Sequence, residues 1–356
     1  MSRGGRLGCP ELIRLAAFDF DGTLVHDRTR VESIARPSSF SATRITQLGS
    51  VVLATCALAT GCRGSASSRA EPVEIRGNSL ALIDARSDKA IADVAVGRDP
   101  TRVVYGQGAF WVVSPEPGVV VRVDADSKAA TRFHIGEDPY DVAIGGGALW
   151  VPDHDARRLL RFDLDSHAVR ATRDLGLPAI SVGFGFRSVW LAVADGRLLR
   201  IDPRTLREKA SIPEATMAIE GSEPKIAFAR SSVWISSPAE STVARIEPMR
   251  GTVKKRMLFG ATGISAGAGA VWVADNASSI WRFDGGRPQR IHVGTQPQDV
   301  AATAEGVWVA DYGDQAVVRL DPATRRVLAK IKLHQHPVAV AAGGGLVAVA
   351  TFGSPP

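Results

Sequence analysis

A motif of about forty residues repeats along most of this chain, and no other feature limits its fold as strongly. Its first mark is an apolar stretch centred on tryptophan: Ala109-Phe110-Trp111-Val112, Ala148-Leu149-Trp150-Val151, Ser188-Val189-Trp190-Leu191, Ser232-Val233-Trp234-Ile235, Ala270-Val271-Trp272-Val273 and Gly306-Val307-Trp308-Val309. Successive tryptophans lie 39, 40, 44, 38 and 36 residues apart, and a seventh copy, Leu346-Val347-Ala348-Val349, has lost its ring. The second mark is an apolar stretch ending in an acid, at Asp84, Asp124, Asp163, Asp202, Glu247, Asp284 and Asp321. The third is a Gly/Pro turn leading into a small apolar stretch, as in Gly136-Glu137-Asp138-Pro139-Tyr140-Asp141-Val142.

Each period accommodates four short strands. In the copy around Trp150 they are predicted over Asp141–Ile144, Ala148–Val151, Leu159–Phe162 and Ala168–Asp174, separated by Gly- or Asp-rich turns. Such a sheet has two apolar faces that only neighbouring sheets can cover, so β-branched residues run consecutively and strict alternation is weak. Four strands in about forty residues is the pattern of a β-propeller blade. The chain starts this region with two strands, Ser79–Ile83 and Ala90–Val96, and finishes it with two more, Val338–Ala341 and Leu346–Ala350. The two halves make one shared blade, and six internal blades bring the total to seven. The expectation is an all-β, seven-bladed propeller over residues 77–352, followed by a short tail at 353–356. Closure of this kind leaves no open sheet edge at the seam.

Composition narrows the class. The 356 residues are 45% hydrophobic and 22% charged, with only three cysteines, too few for a disulfide scaffold. No run approaches the roughly eighteen apolar residues of a spanning helix. The formal charge of +6 is spread thinly: residues 1–61 hold seven basic and five acidic residues, leaving 36 and 32 beyond. Nucleic-acid binding needs concentrated basic charge with interleaved aromatics, and none is present, so no nucleic acid is expected as a partner.

Two unrelated signals precede the repeats. Ala17-Phe18-Asp19-Phe20-Asp21-Gly22-Thr23-Leu24-Val25 resembles the first motif of haloacid-dehalogenase-like phosphatases. By that resemblance Asp19 would be the nucleophile and Asp21 the general acid/base, sharing a Mg²⁺. The rest of that family's machinery is missing, and one strand cannot bury itself, so residues 1–32 are read as an inactive orphan segment. Residues 33–62 look like an export signal: no acid occurs from Ser33 to Ala70, and Arg36 and Arg44 precede the uncharged stretch from Leu48 to Gly61. It ends in Leu58-Ala59-Thr60-Gly61-Cys62, which resembles the bacterial lipobox and implies lipidation of Cys62. A plain cleaved signal and a short core helix are the other readings. Residues 63–76 then form a polar tether. The mature protein is expected to be exported, held at the cell envelope by a lipid or secreted, and monomeric.

Residues 77–352 resemble the YVTN-type, virginiamycin-B-lyase-like propellers of bacteria, through Val271-Trp272-Val273-Ala274-Asp275, Arg319-Leu320-Asp321-Pro322-Ala323-Thr324 and Ile291-His292-Val293-Gly294. That family includes binding proteins, scaffolds and a few enzymes, so the resemblance implies fold more than function. The lyase that gives it its name uses His and Glu with Mg²⁺. Here the corresponding strand ends read Asp275-Asn276-Ala277 and Asp311-Tyr312-Gly313, with no adjacent His, and no catalytic residues are carried over.

Positions repeated in every blade serve every blade, so the tryptophans read as packing and the strand-ending acids as turn formers. Function is expected where repeats disagree. Strand order puts the loops before each first strand and after each second strand on one face, around the mouth of the channel. The candidates there are Asp138, Asp141, Asp153, Asp275, Asp299, Asp311, Tyr312, His334 and His336. The densest set spans three adjacent blades, Asp275, then Asp299 and Asp311, then His334 and His336. Carboxylates with imidazoles can hold a divalent cation, and no other cofactor is implied. The i, i+2 spacing of His334 and His336 predicts two rings on one side of a strand. The opposite face, with its tight turns and basic hairpins, is expected to offer little concavity. The leading expectation is a non-catalytic protein that binds a ligand or protein partner at the channel mouth. The alternative is a metal-assisted lyase or hydrolase using Asp275, Asp299, Asp311 and His336.

Overall fold

The computed structural model describes residues 72–114, 118–216 and 223–353. The phosphatase-like Asp19 and Asp21, the signal-like segment and Cys62 lie outside the described residues. Within them the chain forms 28 strands in seven four-stranded antiparallel sheets, a seven-bladed β-propeller. Six blades are continuous in sequence, over 102–134, 143–174, 179–212, 225–257, 264–292 and 297–332. The seventh has the order Lys89–Ala95, Ser79–Asp84, Leu346–Phe352, His336–Gly343. The predicted seam is therefore present, with Ser79 paired to Thr351 and the register running without a break to Asp84 opposite Leu346.

Burial follows position in the blade. Second strands such as Ala148–Asp153 and Ala270–Ala274 are buried along their whole length, because each lies between two neighbouring blades. Outermost strands such as Ala130–His134 and Val327–Lys332 are mostly exposed. The apolar residues sort into seven clusters, one for each interface between blades. A single ring of sheets thus covers what no blade could cover alone.

Trp111, Trp150, Trp190, Trp272 and Trp308 are at most 1% exposed, each facing the next blade. Opposite each Trp, across the strand pair, stands an arginine, as in Trp150 with Arg161 and Trp308 with Arg319. The guanidinium lies over the indole at 5.4–5.9 Å in five blades, a cation–π lid on the ring. The seventh blade has Ala348 in place of Trp, and Tyr105 and Phe110 of the first blade, 5.0 Å apart, fill that interface instead.

One strand begins later than its apolar pattern suggests. In the second blade the innermost strand is Ala143–Gly145: pairing with the second strand begins at Pro139 opposite Asp153, is interrupted at Asp141, whose carboxylate accepts the N–H of its neighbour Val142 at 2.8 Å, and resumes at Ala143.

Candidate functional site

The candidates at the channel mouth fall into three groups by what they touch. The first lies at the ends of second strands. Asp153 is fully buried; its Oδ1 accepts the N–H groups of Glu137 and Asp138 at 3.1 and 2.9 Å, and its Oδ2 pairs with Arg158 Nε at 2.9 Å. Asp275 accepts three N–H groups, from Ala277, Ser278 and Ser279, and its Oδ2 takes Trp281 Nε1 at 3.2 Å. Asp311 accepts Thr295 N–H at 3.0 Å. The sequence places a glycine beside two of these carboxylates: a Cβ on Gly136 would lie 2.7 Å from Asp153 Oδ2, and one on Gly294 only 1.7 Å from Asp311 Oδ2. These acids pin the neighbouring loops into one shape, and Thr351 does the same by donating to Arg76 carbonyl at 2.8 Å.

Asp311 differs from its counterparts. Burial pushes its carboxyl up to about 6, and the adjacent Asp314 carboxylate adds to the shift, while Lys330 at 3.6 Å opposes it. Asp314 itself is held low by its bond to Lys330.

The second group lines the axis. Asp141, on the second blade, pairs with Arg102 of the first at 2.9 Å and accepts Ser181 Oγ–H and Val182 N–H of the third at 3.0 and 2.9 Å. Asp299, on the sixth, pairs with Lys225 of the fourth at 3.1 Å and accepts Val340 N–H of the seventh at 3.1 Å. Burial works against the Arg102 charge, yet Asp141, Asp299 and Glu223 together hold its pKa above the ordinary guanidinium value. Alternating buried charges thus stitch the innermost strands together, an arrangement whose main effect is to fix geometry. The gap beside Arg102, Asp141, Glu223 and Lys225 has a volume of about 10 Å³, room for about one water.

The third group is exposed or half-buried. Tyr312 stacks on His336 at 4.3 Å between ring centroids, and His336 Nδ1 lies 3.0 Å from Tyr312 carbonyl. His334 does not share a strand with it: its φ of 58° puts it in the turn before the strand, so the expected pair of rings on one side is not formed. Asp138 lies beside His154 and Asp155, two residues that sequence reasoning passed over, with ligand atoms all within 4.8 Å of one another. Burial and the Asp155 charge raise the Asp138 pKa, while His154 works to lower it. His154 stacks on Tyr140 at 4.8 Å. Among the described residues this is the one His/Asp group that converges; Asp275, Asp299, Asp311 and His336, each with separate partners, do not meet.

The opposite face contradicts the expectation of little concavity. Between the fourth and fifth blades a cavity of about 590 Å³ opens among the hairpin turns, walled by Phe228, Trp234 and Phe283. One repeated position contributes to it. The first four blades carry Tyr105, Ile144, Phe184 and Phe228 next to the end of the innermost strand, and each presses on a glycine of the preceding blade: Gly343, Gly106, Gly145 and Gly185. The fifth blade has Ala266 there, facing Ala229. A methyl group in place of a ring leaves volume unfilled, and among the six tryptophans of the repeated motif Trp234 alone is not fully buried. Ala302 and Ala342 occupy the same place in the sixth and seventh blades, so the signal in the sequence was the combination of Ala266 with Arg256 and Gly285, visible only when the blades are aligned on one another.

No family model matches the chain, and no curated protein does. Solved structures are similar in fold. Hydrazine synthase of Kuenenia stuttgartiensis matches over 70% of this chain and 92% of its own, with 12% identity and a TM-score of 0.58. BamB from Moraxella catarrhalis matches over 78% and 92%, with 14% identity and a TM-score of 0.53. U3-55K matches over 76% and 90%, with 11% identity and a TM-score of 0.60. At these identities the likeness is one of propeller architecture alone.

Proposed function

We propose that this chain is an exported propeller, held at the envelope by a lipid on Cys62, that docks a protein partner on its channel-mouth face without catalysing a reaction. The observation that carries this reading is the shape of that face. Its loops are held by buried side chains such as Asp153, Asp275 and Thr351, and the gap beside the axis, about 10 Å³, is too small for a substrate. A surface whose described loops are held in this way, with room for about one water in the gap beside the axis, suits a partner that brings its own relief. The tips on that surface differ from blade to blade, with Asp138, Tyr140 and His154 on one side and Tyr312, His334 and His336 on another. Such variation on a regular frame is where specificity is built.

The test places a photo-reactive side chain at His154, at Tyr312 and, on the opposite face, at Arg204. In the native host the first two should give one and the same protein adduct and the third none. An adduct from Arg204 alone, or none from His154 and Tyr312, overturns the reading. The N-terminal mass of the purified protein tests the anchor, which requires a diacylated Cys62.

A further inference from the structure

The hollow between the fourth and fifth blades has no part in the reading above, and its chemistry is specific. Its floor is aromatic: Trp234 and Phe283 meet at 5.5 Å with their planes tilted by 52°, leaving a corner open to the outside. Its rim is cationic. Arg230, Arg245, Lys254, Lys255 and Arg256 line it, against one carboxylate, Asp284. Asp284 is already engaged by Arg282 and by Gly286 N–H, and Lys255 is paired with Glu240 at 2.7 Å. Among the described residues the other four cations have no acidic partner. Arg245 lies 5.8 Å over Trp234 and donates to Ser232 Oγ at 2.8 Å.

The second blade offers a comparison. Its outermost strand carries Arg173 at the place of Arg256, but Arg173 reaches the next blade, donating to Leu206 carbonyl and lying 3.7 Å from Glu208. Arg256 is exposed and finds no such acceptor among the described residues. A half-buried indole meeting Phe283 at the wall of the hollow, and a set of cations without acidic partners at one edge, together describe the ligand that would fit: flat, aromatic and negatively charged. The volume of about 590 Å³ lies in the range of small-molecule sites.

We propose that this hollow binds a small aromatic anion, with one or two fused rings against Trp234 and Phe283 and a carboxylate or phosphate ester held by Arg256, Lys254 and Arg230. Stacking supplies the apolar contact, and the cations select for charge.

The test uses the purified chain and calorimetric titration with 2-naphthoate, 2-naphthylmethanol, acetate and inorganic phosphate. Naphthoate should bind at least tenfold more tightly than the neutral ring, and acetate and phosphate should give no heat at millimolar concentration. Ala266→Phe, which supplies the missing ring, should weaken naphthoate at least tenfold. Arg256→Phe should do the same without filling the position of Ala266, and serves if the first variant fails to fold. Arg256→Gln should bring naphthoate within about threefold of the neutral ring. The proposal is overturned if naphthoate gives no heat, if phosphate binds as well as naphthoate, or if folded Ala266→Phe and Arg256→Phe both retain the wild-type affinity. Photo-adducts at His154 are independent of all these outcomes.

Discussion

The crevice between the first and second blades and the crevice between the fourth and fifth share one backbone frame, yet the first is solid and the second hollow. In the first, Phe133 stacks on Trp111 at 5.8 Å and meets Phe162 of the next blade at 5.3 Å, while Ile144 and Leu164 close the rest. In the second, the same places hold Arg256, Phe283, Ala266 and Gly285. One ring, one branched chain and one leucine have become a cation, a methyl and a hydrogen. Propeller geometry is therefore set by the strand ladders and tolerates an unfilled interface. The fold does not need every crevice packed, and that leaves some crevices free for other work.

The largest test of this comparison is the pair of tryptophans. Trp111→Ala should cost about 4 kcal/mol in urea unfolding and Trp234→Ala about half that, since Trp234 has already lost part of its covering. Equal losses would break the comparison. Exchanging the fillers comes next: Phe133→Arg should destabilise by about 2 kcal/mol, and Arg256→Phe should stabilise by about 1 kcal/mol. The glycines facing the rings give a third contrast. A Cβ on Gly185 would lie 2.3 Å from Phe228 Cδ1, so Gly185→Ala should cost about 2 kcal/mol, whereas Ala229, the corresponding residue of the hollow crevice, already carries its Cβ and Ala229→Gly should cost under about 1 kcal/mol.

The smallest effect is a pH control, in a blade that belongs to neither crevice. Asp311 keeps its proton up to about 6 in the folded state, above the ordinary 3.8, while facing Asp314, Lys330 and Thr295 N–H. Its folded form binds the proton more tightly than its unfolded form. The resulting stability is complete below pH 4 and disappears as pH rises through 6. Asp311→Asn cannot lose that proton, so between pH 4 and 7.5 it should gain stability relative to the wild type, a difference readable in melting temperature. The contrast between the two crevices should not move over the same range.

The ring and its seam were legible because forty-residue periodicity, tryptophan spacing and the half-blades at 79–96 and 338–350 are all sequence facts with one geometric solution. The roles of individual acids were less so. Asp153, Asp275 and Asp311 read as site residues because they are polar and irregularly placed, but a carboxylate at the end of a second strand lies beside the free N–H groups of a turn, and that contact buries it. Only distances separate such a pin from a ligand. The hollow was hidden for the opposite reason: Ala266 and Gly285 are inconspicuous in a chain rich in both, and an absence of side chain carries no motif. His154 and Asp155 were passed over because their meeting with Asp138 joins two loops that run sixteen residues apart.

The seam has a consequence for how this protein is made. Strand Leu346–Phe352 is the last of the propeller's described strands along the chain, and its hydrogen-bonded neighbour Ser79–Asp84 is the first. Blades can form one after another during synthesis, but the circle stays unclosed until residues 346–352 arrive. A nascent chain stalled or trimmed before residue 346 keeps both flanks of that gap bare, so the closing strand vouches for every blade made before it.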